Sequence, residues 1–113
     1  MDLLHEGKLL KAEQLCRQFL QKNKKHIEGM RILAEIGIRL KIYDDAEFLL
    51  ESCVTFEPQH LGARLDYLKV LNRKSKFRKA YEQAQFLIRK QPQNPTFQLS
   101  LASALTGLGQ FQE

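Results

Sequence analysis

The stretch Ile42-Tyr43-Asp44-Asp45-Ala46 returns 34 residues later as Lys76-Phe77-Arg78-Lys79-Ala80, with an aromatic residue three places before an alanine in both copies. A large apolar residue and an alanine also stand one period earlier, as Leu9 and Ala12. Further columns at this spacing hold apolar residues or proline: Phe19, Cys53 and Leu87; Leu20, Val54 and Ile88; Leu33, Tyr67 and Leu101; Pro58 and Pro92; and Phe111 after Phe77. A fixed period of this length indicates a repeat of short helix pairs. In such a repeat, Ala46 and Ala80 are predicted to lie at close helix contacts, and the predicted core includes Tyr43, Leu50, Tyr67 and Leu87.

The composition agrees with a folded helical chain. Of 113 residues, 43% are hydrophobic and 27% are charged, with only six glycines and three prolines, which favours an all-α fold and excludes disorder. No segment is apolar enough for a membrane span, and the N-terminus lacks the basic and apolar regions of a signal peptide. Two scattered cysteines fit a reducing compartment. We therefore expect a cytoplasmic location.

Within the period, the residues resemble the tetratricopeptide repeat (TPR), whose pattern is W-x2-L-G-x2-Y, then A-x3-F, then P. The matching residues are Met30, Leu33, Ala34, Gly37, Ala46, Leu50 and Pro58, and one repeat later Arg64, Tyr67, Leu68, Leu71, Ala80, Ala84 and Pro92. Leu68 stands where the family has a small residue. The resemblance implies a right-handed superhelix of antiparallel helix pairs. A weaker similarity, in Leu65-Asp66-Tyr67-Leu68 and Asn94-Pro95-Thr96-Phe97, is to the TPR region of bacterial sulfotransferase-like proteins.

The alignment divides residues 1–113 into a single array with a partial repeat at 1–26, full repeats at 27–60 and 61–94, and a truncated repeat at 95–113. Helices are predicted at about 1–6, 9–23, 27–40, 44–57, 61–74, 78–91 and 95–108. Gly7 and Gly109 are predicted to end helices with positive φ, and Lys41 and Ser75 occupy the same stop without being glycine. Asn94 is predicted to cap a helix whose first residue is Pro95.

The sequence gives no sign of a nucleophile, a redox pair or a metal site. Cys16 and Cys53 recur on the apolar face of successive second helices and are predicted to be reduced, buried packing residues. His26 and His60 each close a repeat, so the turn between repeats explains their recurrence. No pair of histidines has the spacing of metal ligands. We expect no cofactor and no bound metal.

Paired carboxylates also have a simple structural interpretation. Asp44 and Asp45 begin a helix, where acidic groups interact favourably with the helix dipole. Glu47 and Glu51 are predicted to lie on a solvated outer face because they recur at helical spacing. With no apolar pocket predicted around a carboxylate, we expect no catalytic residues, and the chain is predicted not to be an enzyme.

The TPR resemblance implies a concave groove lined by the first helix of each pair. The residues that it assigns to this partner-binding groove are Arg31, Glu35, Ile38 and Arg39, then Leu65, Lys69, Asn72 and Arg73, and finally Leu99. Basic side chains can donate charge-assisted hydrogen bonds, and exposed apolar side chains can serve as anchors. The leading hypothesis is therefore a scaffold that binds a peptide or protein segment carrying carboxylate and apolar groups.

Two alternatives remain open at this point. One is a regulatory or substrate-recognition TPR module of a larger, sulfotransferase-like enzyme whose catalytic domain is absent here. The other uses the run Arg73-Lys74-Ser75-Lys76-Phe77-Arg78-Lys79 as a basic surface for an acidic partner or nucleic acid, since residues 57–113 hold nine basic and four acidic residues. Nucleic acid is disfavoured because the repeat core uses the aromatic residues. The truncated last repeat, with Phe97, Leu101, Leu105 and Leu108, further predicts cover by a second copy or additional chain.

Overall fold

The computed structural model describes residues 3–111, with side chains from residue 6 to residue 110, and confirms the all-α fold. The helices are α1 (Leu3–Lys22), α2 (Ile27–Arg39), α3 (Tyr43–Phe56), α4 (Leu61–Arg73), α5 (Phe77–Lys90) and α6 (Pro95–Phe111). They form two compact units, Met1–Pro58 and Gln59–Glu113. In the first unit α2 packs against both α1 and α3, and in the second α5 packs against α4 and α6, which also touch each other.

The first and second units start their helix pairs in the same way. His26 precedes α2 and His60 precedes α4, and the Nδ1 atom of each accepts a hydrogen bond from the backbone N–H three residues later at 3.0 Å. Each imidazole thus satisfies one of the donors that a helix start leaves without an internal partner. The recurrence of His26 and His60 reflects helix capping, a more specific role than the predicted turn.

The turns inside the two helix pairs are also equivalent. Lys41 has φ 64° and Ser75 has φ 59°, as predicted for the residues that stop α2 and α4. The next residues donate back to the helices, Ile42 N to Gly37 O at 2.7 Å and Lys76 N to Leu71 O at 2.8 Å. This is the Schellman arrangement, which satisfies the last helical carbonyls without requiring glycine.

The predicted helix stops at Gly7 and Gly109 are wrong. Gly7 lies inside the single helix α1, so the predicted break between helices 1–6 and 9–23 is absent, and α6 continues through Gly109. None of the described glycines has positive φ. Glycine lowers helix stability but permits helical backbone angles, and the helix continues where no turn is imposed. The predicted cap at Asn94 is correct, because its Oδ1 accepts from Thr96 N and Phe97 N at 2.9 and 3.3 Å.

The core is built from the columns of the repeat. Ala46, Leu50 and Cys53 of α3 are fully buried, and so are their equivalents Ala80, Ala84 and Leu87 of α5. A Cβ atom added at Gly37 of α2 would lie 3.7 Å from Ala46 Cβ, so the small residues allow α2 and α3 to pack closely. Tyr67 is buried as well.

Three predicted side-chain positions need correction. Tyr43 is half-buried because it is the first residue of α3, at the edge of the helix contact. Cys16 is also only half-buried, since its helix α1 packs against α2 alone among the described helices. Glu47 was expected on the solvated face with Glu51, but it is 9% exposed and lies with the buried residues of α3. Cys16 and Cys53 are free thiols.

Candidate partner-binding faces

The residues assigned to the groove lie on a helix face in each unit. Arg31, Glu35, Ile38 and Arg39 lie along α2 at intervals that place them on one side of a helix, and we call this the α2 face. Leu65, Lys69, Asn72 and Arg73 have the same spacing along α4 and define the α4 face. Leu99 of α6 belongs to the same unit as the α4 face.

The α2 face is internally neutralised. Arg31 Nη1 donates to the Glu28 carboxylate at 3.1 and 3.4 Å, and Arg39 Nη2 lies 3.7 Å from Glu35 Oε2. These arginines were predicted as donors to a ligand, yet both already have acidic partners on their own helix. In each pair at least one of the two side chains is largely exposed to solvent. Each pair therefore contributes little to the free energy of folding and can open.

The α4 face has a different charge pattern. Lys69 and Arg73 are exposed, stand one helical turn apart, and make no hydrogen bond or ion pair with any described residue. Leu65 beside them is half-buried. Two cations without an ionic partner in the described chain, next to an apolar side chain, are free to contact an acidic and partly apolar ligand.

Asn72, on the same face, has an unusual environment. Its Oδ1 atom is buried and has no hydrogen-bond partner among the residues that the structure describes. A buried acceptor left unpaired costs about 1–3 kcal/mol. The equivalent residue of the α2 face is the apolar Ile38, so the fold does not require an amide at this point.

Leu99 has no visible role in packing. Its side chain is 70% exposed on α6, whereas Phe97 two residues before it is buried. The predicted apolar surface of α6 is only partly exposed to solvent, because α6 packs against α4 and α5. Phe97 is buried, and Leu101 and Leu108 are half-buried. Leu105 is 49% exposed. Leu99 is thus accessible to a ligand, and its role as an apolar anchor stays a prediction.

A cleft of about 270 Å³ lies between α5 and α6. It is lined by Tyr81, Gln85, Ile88, Arg89, Leu101 and Leu105. Leu101 and Leu105 are equivalent to Tyr67 and Leu71 of α4, which are buried in the pair with α5. Leu101 and Leu105 thus line an open cleft, and no further helix covers them among the described residues.

Arg64 forms a contact that the sequence reasoning missed. Its guanidinium carbon lies 3.7 Å from the centre of the Phe86 ring, and Nη1 donates to Gln83 Oε1 at 2.9 Å. Burial lowers the pKa of this guanidinium, although arginine stays protonated at any ordinary pH. The signal was present in the alignment, because Arg64 stands where the TPR pattern has tryptophan. A planar cation replaces the ring, so Arg64 joins α4 to α5 and is not assigned to binding.

Asp45 and Cys53, two reactive side chains outside the two faces, lie in structural contacts. Among the described residues, no three His, Cys, Asp or Glu side chains come together as metal ligands. Asp45 is engaged by Arg17, with Nη2 to Oδ2 at 3.2 Å. The Cys53 thiol lies 3.9 Å from the carbonyl of Ile27 in the core. None of the helices within residues 3–111 is long and apolar enough to cross a bilayer.

Comparison with known proteins does not assign the chain to a family. The chain matches no protein-family model and no curated protein at a significant level. Its function has to be inferred from the two faces, the cleft and the charged surface of the chain itself.

Proposed function

We propose that the chain is a TPR-type interaction module that binds a peptide or protein segment on the first helix of each pair. The support for the family is the recurrence, at a spacing of 34 residues, of the histidine cap, the turn with positive φ and the buried alanine. The proposal includes the right-handed superhelical arrangement that this family adopts. A protein-binding scaffold follows from the same resemblance.

The observation that carries the binding proposal is the pair of unengaged cations, Lys69 and Arg73, on the α4 face. A ligand carboxylate would receive charge-assisted hydrogen bonds from them, and an apolar ligand side chain would contact Leu65 or Leu99. On the α2 face, Arg39 would exchange Glu35 for a ligand acid, since a pair this exposed holds only weakly.

Reversing the charges of Arg39 and Arg73 tests this binding mode. A peptide selected for binding to the intact chain from a random display library should bind the double variant Arg39→Glu/Arg73→Glu well over tenfold more weakly. The reason is that each new carboxylate would repel the acids that the wild-type arginines attract. Fluorescence anisotropy with the labelled peptide measures the two dissociation constants.

The matched control is Lys22→Glu/Lys90→Glu, which changes the net charge equally. Lys22 and Lys90 are exposed residues in the last turns of α1 and α5, outside both faces. This control should keep its affinity within about twofold. Equal weakening of both double variants would mean that only the overall charge matters, and the assignment of the α2 and α4 faces would be wrong.

Self-association through α6 is a further part of the proposal. A second copy would cover Leu101 and Leu105, the residues that leave the α5–α6 cleft open. We expect sedimentation to detect association of the wild-type chain at high concentration, and Leu105→Glu to reduce it because a carboxylate would have to be desolvated in the contact. A chain that stays monomeric at all concentrations would refute cover by a second copy.

A further inference from the structure

The connection between α4 and α5 forms a rigid basic surface, which we call the basic turn and define as residues 73–79. Arg73 ends α4, Ser75 has φ 59°, and α5 begins at Phe77. The backbone bonds from Ser75 N to Asn72 O and from Lys76 N to Leu71 O fix the turn at 3.1 and 2.8 Å. Phe77 packs on Gly107 of α6 and attaches the turn to the helices of its unit.

Three of the five charges of the basic turn point to solvent. Arg73, Arg78 and Lys79 are exposed and make no hydrogen bond or ion pair with described residues. Lys74 and Lys76, both half-buried, add positive charge close by. The unit that contains the turn, Gln59–Glu113, has nine basic residues and three acidic ones, so little nearby charge offsets it.

Arg78 and Lys79 occupy positions that are unfavourable for folding. Both lie in the first turn of α5, which has no acidic residue, and cations destabilise a helix start because the helix dipole is positive there. The N-cap residue Lys76 makes no side-chain capping bond. In the first unit the equivalent residues of α3 are Asp44 and Asp45, which favour the same helix end. The turn geometry is shared, so the fold accepts acids at these positions and does not require cations.

Residues that disfavour their own local structure, and that no contact compensates, are expected at functional sites. We propose that the basic turn is a docking surface for an acidic segment of a partner protein. The charge of the turn is complementary to a run of aspartate or glutamate, and its fixed backbone holds the cations in place before binding. Arg73 belongs both to the basic turn and to the α4 face, whereas Arg78 and Lys79, which carry this inference, belong to neither the α2 nor the α4 face.

The structure favours an acidic protein segment over the other polyanions. Single-stranded nucleic acids are held by aromatic side chains that stack on bases, and the ring of Phe77, the aromatic residue of this turn, rests against α6. A protein that binds duplex DNA through its phosphates can make about six to ten phosphate contacts. The basic turn has only five basic residues. Peripheral membrane binding adds apolar side chains to the charge, and none is exposed in residues 73–79.

The test uses the full chain and a fluorescein-labelled deca-glutamate peptide in anisotropy titrations at low and physiological salt. The wild-type chain should bind the peptide, more weakly at higher salt. Arg78→Asp/Lys79→Asp should weaken binding at least tenfold and raise the melting temperature by about 5 °C, since acids at a helix start are favourable. A loss of binding together with a gain of stability cannot come from misfolding.

The control is Arg89→Asp/Lys90→Asp, which carries the same charge change in the last turn of the same helix. The two ends of α5 lie about 20 Å apart, beyond the screening length at physiological salt. This variant should bind the peptide within about twofold of wild type and should melt at a lower temperature. The proposal is overturned if the wild-type chain does not bind the peptide, if both variants lose binding equally, or if single-stranded DNA or phosphatidylserine vesicles bind more tightly than the peptide.

Discussion

Replacing Gly107 by alanine is expected to destabilise the chain by about 1–3 kcal/mol, although alanine is the better helix former. Gly107 lies inside α6 with its α-carbon against the aromatic ring of Phe77. A Cβ atom at this position would overlap ring atoms Cγ, Cδ1 and Cε1, so the base of the ring and not only its tip must move. Displacing Phe77 would loosen the contact between α5 and α6. Urea unfolding followed by circular dichroism measures the change.

Gly109→Ala is the matched control, because Gly109 lies in the same helix with open space around it. Here alanine should raise the free energy of unfolding by up to about 1 kcal/mol, since it loses less backbone entropy than glycine. The two substitutions are chemically identical and should have opposite signs. Equal effects from both would contradict the contact between Phe77 and Gly107.

The sequence predicted the features that are determined by neighbouring residues. The cap at Asn94, the turn positions Lys41 and Ser75, and the close-packed Ala46 and Ala80 all depend on a few adjacent positions. The repeat also shows the turn and the alanine more than once. These features are confirmed because a helix end or a close helix contact has few chemical solutions.

The incorrect predictions concern properties that local pattern does not determine. The sequence predicted helix ends at Gly7 and Gly109, but glycine ends a helix only where the following chain is made to turn. Glu47 is buried because of what surrounds α3, which helical spacing alone does not reveal. The roles of His26 and His60 were missed because histidine is not among the preferred capping residues.

The sequence predicted which residues lie on the binding faces, but it did not predict which of their charges are paired. Glu28 and Arg31, and Glu35 and Arg39, stand three and four residues apart, so their pairing could have been expected from spacing. At the equivalent positions of α4 stand Gly62 and Lys69 instead of acids. Lys69 and Arg73 make no ion pair with a described residue, although Asp66 lies three residues before Lys69. This difference separates a neutral face from a basic one. Spacing alone does not predict it, because Asp66 precedes Lys69 by the same three residues as Glu28 precedes Arg31.

Replacing Leu87 by alanine is expected to cost about 2–5 kcal/mol, because Leu87 is fully buried and its removal leaves a cavity. Thermal and urea unfolding measure the loss. Arg89→Ala, an exposed neighbour in the same helix, should change stability by no more than about 0.5 kcal/mol. A small effect of Leu87→Ala would mean that the core of the second unit lies elsewhere.

The compensating substitution at Ala84 tests whether the two helix pairs pack alike. In α3 the buried residues Leu50 and Cys53 place the large side chain first, and in α5 their equivalents Ala84 and Leu87 place it second. Ala84→Leu alone should overpack the core and cost about 1–3 kcal/mol. Combined with Leu87→Ala it would reproduce the order of α3. The double variant should therefore lose less stability than the two single losses added together, by at least about 1 kcal/mol. Simple additivity of the two losses would show that the equivalent positions face different surroundings, and the structural repeat would then be limited to the caps and turns.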